Sequence, residues 1–237
     1  MHVQSQKMQK EDLIPFQQQG FSDVYNTDDW APGLQKSKAY EQILLDIILG
    51  VLSPNARLDE LGLAKKYGLG VAGVREALAR LSLEGMVLRR PRSGTIVASI
   101  DVHEVEQAYD VRCLLEPHAA SLAAQHASDV EIEAILMAFD GAERAAKRRD
   151  FRSIIAMDQR FHRAVAVASH NLSLARIIIS LHNKAARYWY YSMTSRPDED
   201  RLQDITNHRA VASAIAKGDT EAASRGMRLV MGEKTVD

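Results

Sequence analysis

Asp158 and His162 stand four residues apart in the run Asp158-Gln159-Arg160-Phe161-His162. On a helix that spacing puts a carboxylate and an imidazole on one face, one turn apart. Together they can chelate a divalent ion. They can equally form an i,i+4 ion pair of the kind common on helices, and spacing alone leaves both readings open. Arg112 and Glu116 repeat the spacing among the apolar Val111, Leu114 and Leu115. Arg112 either pairs with Glu116 or Asp110, or turns its planar fork into a cavity to clamp a carboxylate. Tyr188-Trp189-Tyr190-Tyr191 is a dense aromatic run whose members cannot all face one way. One or two of them, with Tyr188 and Tyr191 the candidates, would line a cavity while the others pack. A basic group, Arg89, Arg90 and Arg92, precedes Gly94 and suits a phosphate backbone.

The basic group sits in the clearest architectural signal of the chain. A short helix over Glu60–Lys66 is followed by the glycine-spaced turn Tyr67-Gly68-Leu69-Gly70. The next helix is amphipathic, with Val74, Leu78 and Leu81 on one face and Arg75, Glu76 and Arg80 on another. Gly85 closes it, because glycine reaches a left-handed cap without a Cβ penalty. Two β-type runs, Met86–Leu88 and Thr95–Ala98, then flank the arginines. Helix, tight turn, helix and basic hairpin make a winged helix-turn-helix, a DNA-reading form. The charge agrees: the chain as a whole carries −1, whereas residues 36–100 hold 10 basic and 6 acidic side chains.

The fold class expected is mainly α: an N-terminal winged helix-turn-helix with a small β-hairpin wing, then a C-terminal all-α antiparallel bundle. Residues 1–35 are polar and glutamine-rich and read as a flexible arm, in which Phe16, Phe21, Tyr25 and Trp30 offer docking points. A helix from Lys38 to Leu49 opens the DNA-reading domain, 36–99. Asn55, tolerant of positive φ, closes the turn that follows. Residues 100–237 read as helical throughout, in six segments: 101–126, 129–149, 151–169, 172–195, 199–217 and 219–232. Short junctions such as Ser128-Asp129, Asp150 and Gly218-Asp219 supply caps and favour antiparallel neighbours. An apolar fraction of 46% suits a globular chain, and the single cysteine, Cys113, leaves no intramolecular disulfide and fits a reducing cytosol. No apolar run reaches the roughly 18–20 residues of a membrane span. The expectation is a cytoplasmic protein with no membrane partner.

These features together resemble the GntR transcriptional regulators, in the FadR-type branch with a C-terminal FCD ligand-binding domain. The residues that carry the resemblance run from Tyr40-Glu41-Gln42-Ile43 through Val74-Arg75-Glu76-Ala77-Leu78, Glu84-Gly85 and Gly94. They continue with Arg112, Leu115-Glu116, Asp158, Phe161-His162, Asn171, His208-Arg209-Ala210 and Gly218-Asp219. Six C-terminal segments look like the VanR-type subgroup. The resemblance implies a homodimer on a palindromic double-stranded DNA operator, and a bundle that senses a small organic acid beside a bound metal. It makes His208 a third metal ligand with Asp158 and His162, and puts Val230 where relatives carry a fourth, a histidine. Three ligands with open positions can hold zinc, nickel or manganese, zinc being favoured. His118, His170 and His182 match no ligand position and read as structural or exposed.

The recognition helix departs from the family pattern. Gly70, Val71, Ala72 and Gly73 replace hydroxyl, arginine, hydroxyl and proline or threonine, and Leu61 replaces a further arginine of some members. What remains for DNA are backbone amides at the helix start, Val71 and Ala72 for thymine methyls, Arg75, and the wing with Arg89, Arg90, Arg92 and Gly94. Function is therefore expected to be operator binding, as a repressor, controlled by a carboxylate metabolite held near the metal. Two rivals stand beside it. One is a metal-dependent enzyme on a helical bundle, against which no nucleophile elbow, phosphate loop or zinc-protease motif is found. The other is a sensor that has lost sequence-specific DNA binding.

Overall fold

The computed structural model describes residues 34–90, 94–195 and 197–232. The aromatic residues proposed to dock the arm, and Arg92 of the wing, lie outside the described residues. Helix α1 (Gln35–Ile48) buries Tyr40, Ile43 and Ile47 along one face. They pack in one core with Val74, Leu78 and Leu81 of α3 (Val71–Leu83), and full burial of each such aliphatic side chain stabilises the fold by roughly 1.5–3 kcal/mol. Between them α2 (Glu60–Tyr67) starts at Asp59, whose carboxylate accepts from the amides of Leu61 and Gly62. It ends at Gly68, which has φ +64°. A Cβ at Gly73 would lie 3.1 Å from the Gln35 carbonyl carbon and 3.2 Å from the Lys36 nitrogen. Its absence is what lets α3 cross the start of α1 so closely.

Three strands complete the wing: β1 (Arg57–Leu58), β2 (Val87–Arg90) and β3 (Gly94–Val97), antiparallel in the order β1-β3-β2. Arg89 pairs with Thr95 and Arg90 with Gly94, so both arginines sit at the end of the hairpin where its two strands are connected. The two-residue β1 has no periodicity of its own; it exists because Arg57 and Leu58 pair with Ile96 and Thr95.

The C-terminal part is helical: α4 (Val102–His126), α5 (Asp129–Met137), α6 (Ala142–Lys147), α7 (Phe151–Ala168), α8 (Leu172–Ser195), α9 (Asp198–Ala216) and α10 (Thr220–Val230). Asp101, Ser128, Asp150 and Asp219 cap helix starts as their residue types suggest. The segment expected as one helix over 129–149 is two. After Ile135 the backbone tightens into i→i−3 bonds, and Gly141 turns left-handed at φ +79° before α6 begins. Among the described residues the bundle therefore has seven helices rather than six segments. The break has a use, because it carries Phe139 into the core beneath the site described below.

Helices α7 and α8 also hold the winged part. Glu84, at the C-terminal end of α3, is 1% exposed; its Oε2 accepts from the Tyr40 hydroxyl at 2.7 Å and from Asn183 Nδ2 at 2.6 Å. Its Oε1 accepts from Arg80 Nε at 3.1 Å. Arg187 donates to the carbonyls of Ala98 and Ser99, and Arg152 to Asp46 of α1. No helix among the described residues is long and apolar enough to cross a membrane.

Candidate functional site

Four helices bring their buried polar side chains to one point. Asp158 and His162 come from α7, His208 from α9, His182 from α8, and Arg112 and Glu116 from α4. The Asp158 Oδ1 atom lies 3.6 Å from Nε2 of both His162 and His208, and those two nitrogens are 3.3 Å apart. The remaining ring nitrogens fix the tautomers. His208 Nδ1 is 2.7 Å from the Asp204 carbonyl, which can only accept, so Nδ1 carries the hydrogen. His162 Nδ1 meets the Glu116 carboxylate in the same way. The Nε2 of each histidine therefore faces the other and Asp158, and presents a lone pair there whenever its ring is neutral. Orienting a ligating histidine through its second nitrogen is the usual arrangement at metal centres. Phe139 and Phe161 pack against the His208 ring with centroids 4.5 and 5.0 Å away, which fixes its plane.

The electrostatics favour a cation at that point. Burial opposes the charge on Asp158, but the three histidines hold its pKa well below the usual carboxylate range. Burial also opposes the charge on Glu116, yet Arg112 and His162 drive its pKa down. His162 shifts the other way: although burial works against it, Glu116 and Asp158 raise its pKa to about 9. A proton on His162 Nε2 then relieves the facing lone pairs in the absence of a metal. The donors of Asp158, His162 and His208 lie within 4.8 Å of one another, and one carboxylate with two imidazoles suits a divalent transition metal. The residues present thus fit the group.

Above this floor opens a cavity of about 1020 Å³. Arg112 faces it while its Nε donates to Glu116 at 2.6 Å, so the pairing and the cavity-facing placement hold together. Tyr188 and Trp189 form part of the wall; the Tyr191 side chain lies outside the described residues. Val230 lines the cavity with Met231 and supplies no donor. His182, read from the sequence as structural or exposed, is buried and lies within the cluster. It is 4% exposed, its ring centroid is 4.6 Å from that of His162, and its Nε2 is 3.1 Å from Asp158 Oδ2. Burial first, then Arg112 and His162, push its pKa down to about 4. Its signal was a histidine on a helix face otherwise built from Ile178, Ile179, Ala185 and Ala186. His118 and His170 are exposed and away from the cluster.

At the other end of the molecule, Ala72 is exposed at the start of α3, while Val71 is half-buried against the core. Gly70 caps α3 without a side-chain hydrogen bond. Arg75 is exposed, and its Nε donates to Glu60 at 3.0 Å, the surface pairing that competes with a DNA contact. Arg89, Arg90 and Gly94 are exposed on the wing, with Gly94 at φ +77°.

Residues 35–97 match the model for bacterial regulatory proteins of the gntR family, and residues 107–233 match the FCD domain. The chain belongs to the GntR family. Among its relatives are two Escherichia coli and Bacillus subtilis proteins of similar length. The HTH-type transcriptional repressor GlaR of E. coli is 28% identical over 80% of this chain and 89% of its own. The HTH-type transcriptional regulator YdhC of B. subtilis is 25% identical over 78% and 83%. The solved structure of E. coli McbR/YncC covers 84% of this chain and 93% of its own at a TM-score of 0.68 and 21% identity, and so shares the fold. As a GntR regulator with an FCD domain, the protein is a DNA-binding transcriptional regulator and not an enzyme.

Proposed function

We propose that this GntR regulator is a repressor whose operator affinity is set by a small carboxylate metabolite bound in the FCD cavity beside a divalent metal. The observation that carries the reading is the pair of Nε2 atoms of His162 and His208, 3.3 Å apart and facing Asp158 on the cavity floor. Asp158, His162 and His208 would hold the metal. Bound there, it supplies a Lewis-acidic anchor for a carboxylate oxygen. Arg112 would orient the same carboxylate from the wall, since its Nε is tied to Glu116. Tyr188 and Trp189 bound the space left for the rest of the molecule. Two of the relatives are named as repressors, which supports that direction of control.

DNA would be held by the amides at the start of α3, by Ala72 and Arg75, and by Arg89 and Arg90 of the wing. With few side chains able to read base edges, phosphate contacts and groove shape carry more of the recognition. A homodimer matches a palindromic operator. Exposed Leu114 and Val111 of α4, with Ile177 of the adjacent α8, offer the apolar surface for it.

The test couples metal content to DNA binding. Purified wild-type protein and Asp158→Ala are loaded with zinc, nickel or manganese, dialysed and analysed for bound metal. Each is then titrated onto a duplex from upstream of its own coding sequence, with and without candidate carboxylates. Wild type is expected to retain metal and to lose operator affinity with one of the acids; Asp158→Ala should do neither. Equal metal content in the two proteins would sink the metal-assisted reading.

A further inference from the structure

His182 is the one member of the cluster whose chemistry the proposed three-ligand site leaves unused. Neither of its ring nitrogens has a hydrogen-bond partner, and both are buried. The 3.1 Å approach of Nε2 to Asp158 Oδ2 satisfies distance but not the direction of a ring hydrogen bond. A buried imidazole with both polar atoms unsatisfied loses water without replacement, which disfavours the fold unless a ligand supplies a partner. The ring also borders the open cavity. It approaches the second oxygen of the same carboxylate whose first oxygen faces His162 and His208. His182 falls in a second group of donors within 4.8 Å, with His162 and Glu116, which shares His162 with the group of Asp158, His162 and His208, so its ring must turn toward the cation to ligate it. Where α10 ends, the wall is Val230, which offers no donor.

We propose that His182 is a further protein ligand of the divalent cation, so that the site is Asp158, His162, His182 and His208, with one histidine drawn from α8. The inference rests on the metal reading above and adds to it. A set of three imidazoles and one carboxylate suits zinc, cobalt or nickel better than manganese or magnesium. It leaves open positions for the carboxylate metabolite only by expansion beyond four, so an added acid should change the coordination number.

Cobalt(II) is the probe, because its visible absorption reports coordination number and donor type. Wild type, Asp158→Ala, His182→Ala and the exposed control His118→Ala are titrated as full-length proteins, with affinity taken from competition against a chromophoric chelator. Wild type and His118→Ala are expected to match. His182→Ala should bind at least tenfold more weakly and show an altered cobalt band, and Asp158→Ala should bind more weakly still. Unchanged affinity and spectrum in His182→Ala, with binding weakened in Asp158→Ala, would overturn the His182 assignment and leave the three-ligand site standing. No cobalt bound by wild type would overturn both. A second readout does not depend on how His182→Ala folds. In cobalt-loaded wild type, each ligating imidazole N–H gives its own strongly shifted proton resonance. Three such resonances are expected, and two would overturn the proposal.

Discussion

Glu116 is the residue on which the chemistry of the cavity turns, although it ligates nothing in the proposed site. Its two oxygens serve two neighbours: Oε1 takes Arg112 Nε at 2.6 Å and Oε2 takes His162 Nδ1. The carboxylate therefore aims the guanidinium and fixes the imidazole tautomer together. Glu116→Gln keeps the shape but removes the charge, so the His162 ring becomes a weaker donor to a cation. The expected outcome is a loss of about 10–100-fold in metal affinity, measured by chelator competition at neutral pH. Unaltered affinity would reduce Glu116 to a counterion for Arg112. The i,i+4 pairs were legible in the sequence because one helix fixes both members. The meeting of Glu116 with His162 was not, since 46 residues and two helices separate them. His182 was missed for the same reason: no local spacing says that α8 delivers its histidine to the carboxylate on α7.

At the scale of elements, caps and glycines were legible and their consequences less so. Asp101, Ser128, Asp150 and Asp219 act through side chains that bond their own helix starts, so residue type suffices. The break at Gly141 and the strand β1 depend on what packs or pairs with them, and a single sequence does not carry that. The same holds for Asp46, which in the sequence is a lone charge within the apolar run Ile43-Leu44-Leu45-Asp46-Ile47-Ile48. It is 3% exposed and receives Lys66 Nζ at 2.7 Å, the Tyr67 hydroxyl at 2.7 Å and Arg152 NH1 at 2.8 Å. One carboxylate thus joins α1, α2 and α7. Burial raises its pKa, but the three donors outweigh that and leave it below the ordinary aspartate value. A group with a depressed folded pKa adds stability above its unfolded pKa, about 4, and loses it as pH falls through the folded value. Asp46→Asn should accordingly be less stable than wild type at pH 7, by about 2 kcal/mol for lost charge-assisted hydrogen bonds. The gap should narrow as pH falls below about 4 and close once the folded carboxyl is protonated. Urea unfolding followed by circular dichroism at pH 7, 5 and 3 measures it, and a gap that stays constant with pH would contradict this role.

The whole molecule places the candidate metal site and the DNA-reading domain on the same two helices. Helix α8 presents His182 to the cavity and, one residue later, Asn183 to the winged part, where it is wholly buried and bonds Glu84 and Tyr40. Helix α7 does the same with His162 and Arg163, whose NH2 donates to the Tyr40 hydroxyl at 3.2 Å. Glu84 sits at the end of the recognition helix, so a shift of α8 would reach α3 directly through the Asn183–Glu84 bond and indirectly through Asn183 to Tyr40 to Glu84. Under the proposed function such coupling would be reciprocal: the factor by which metal and acid change operator affinity would equal the factor by which operator changes their affinity. Asn183→Leu removes the amide and keeps a similar volume, without touching a ligand. It should leave metal affinity in the absence of DNA unchanged while moving both coupling factors toward one by the same proportion. Fluorescence anisotropy with a labelled duplex, at fixed salt because phosphate contacts are salt-dependent, gives the first factor. Chelator competition with and without the duplex gives the second. If both factors in Asn183→Leu equal those of wild type, the coupling runs through other contacts, of which Arg187 to Ala98 and Ser99 is the next to break.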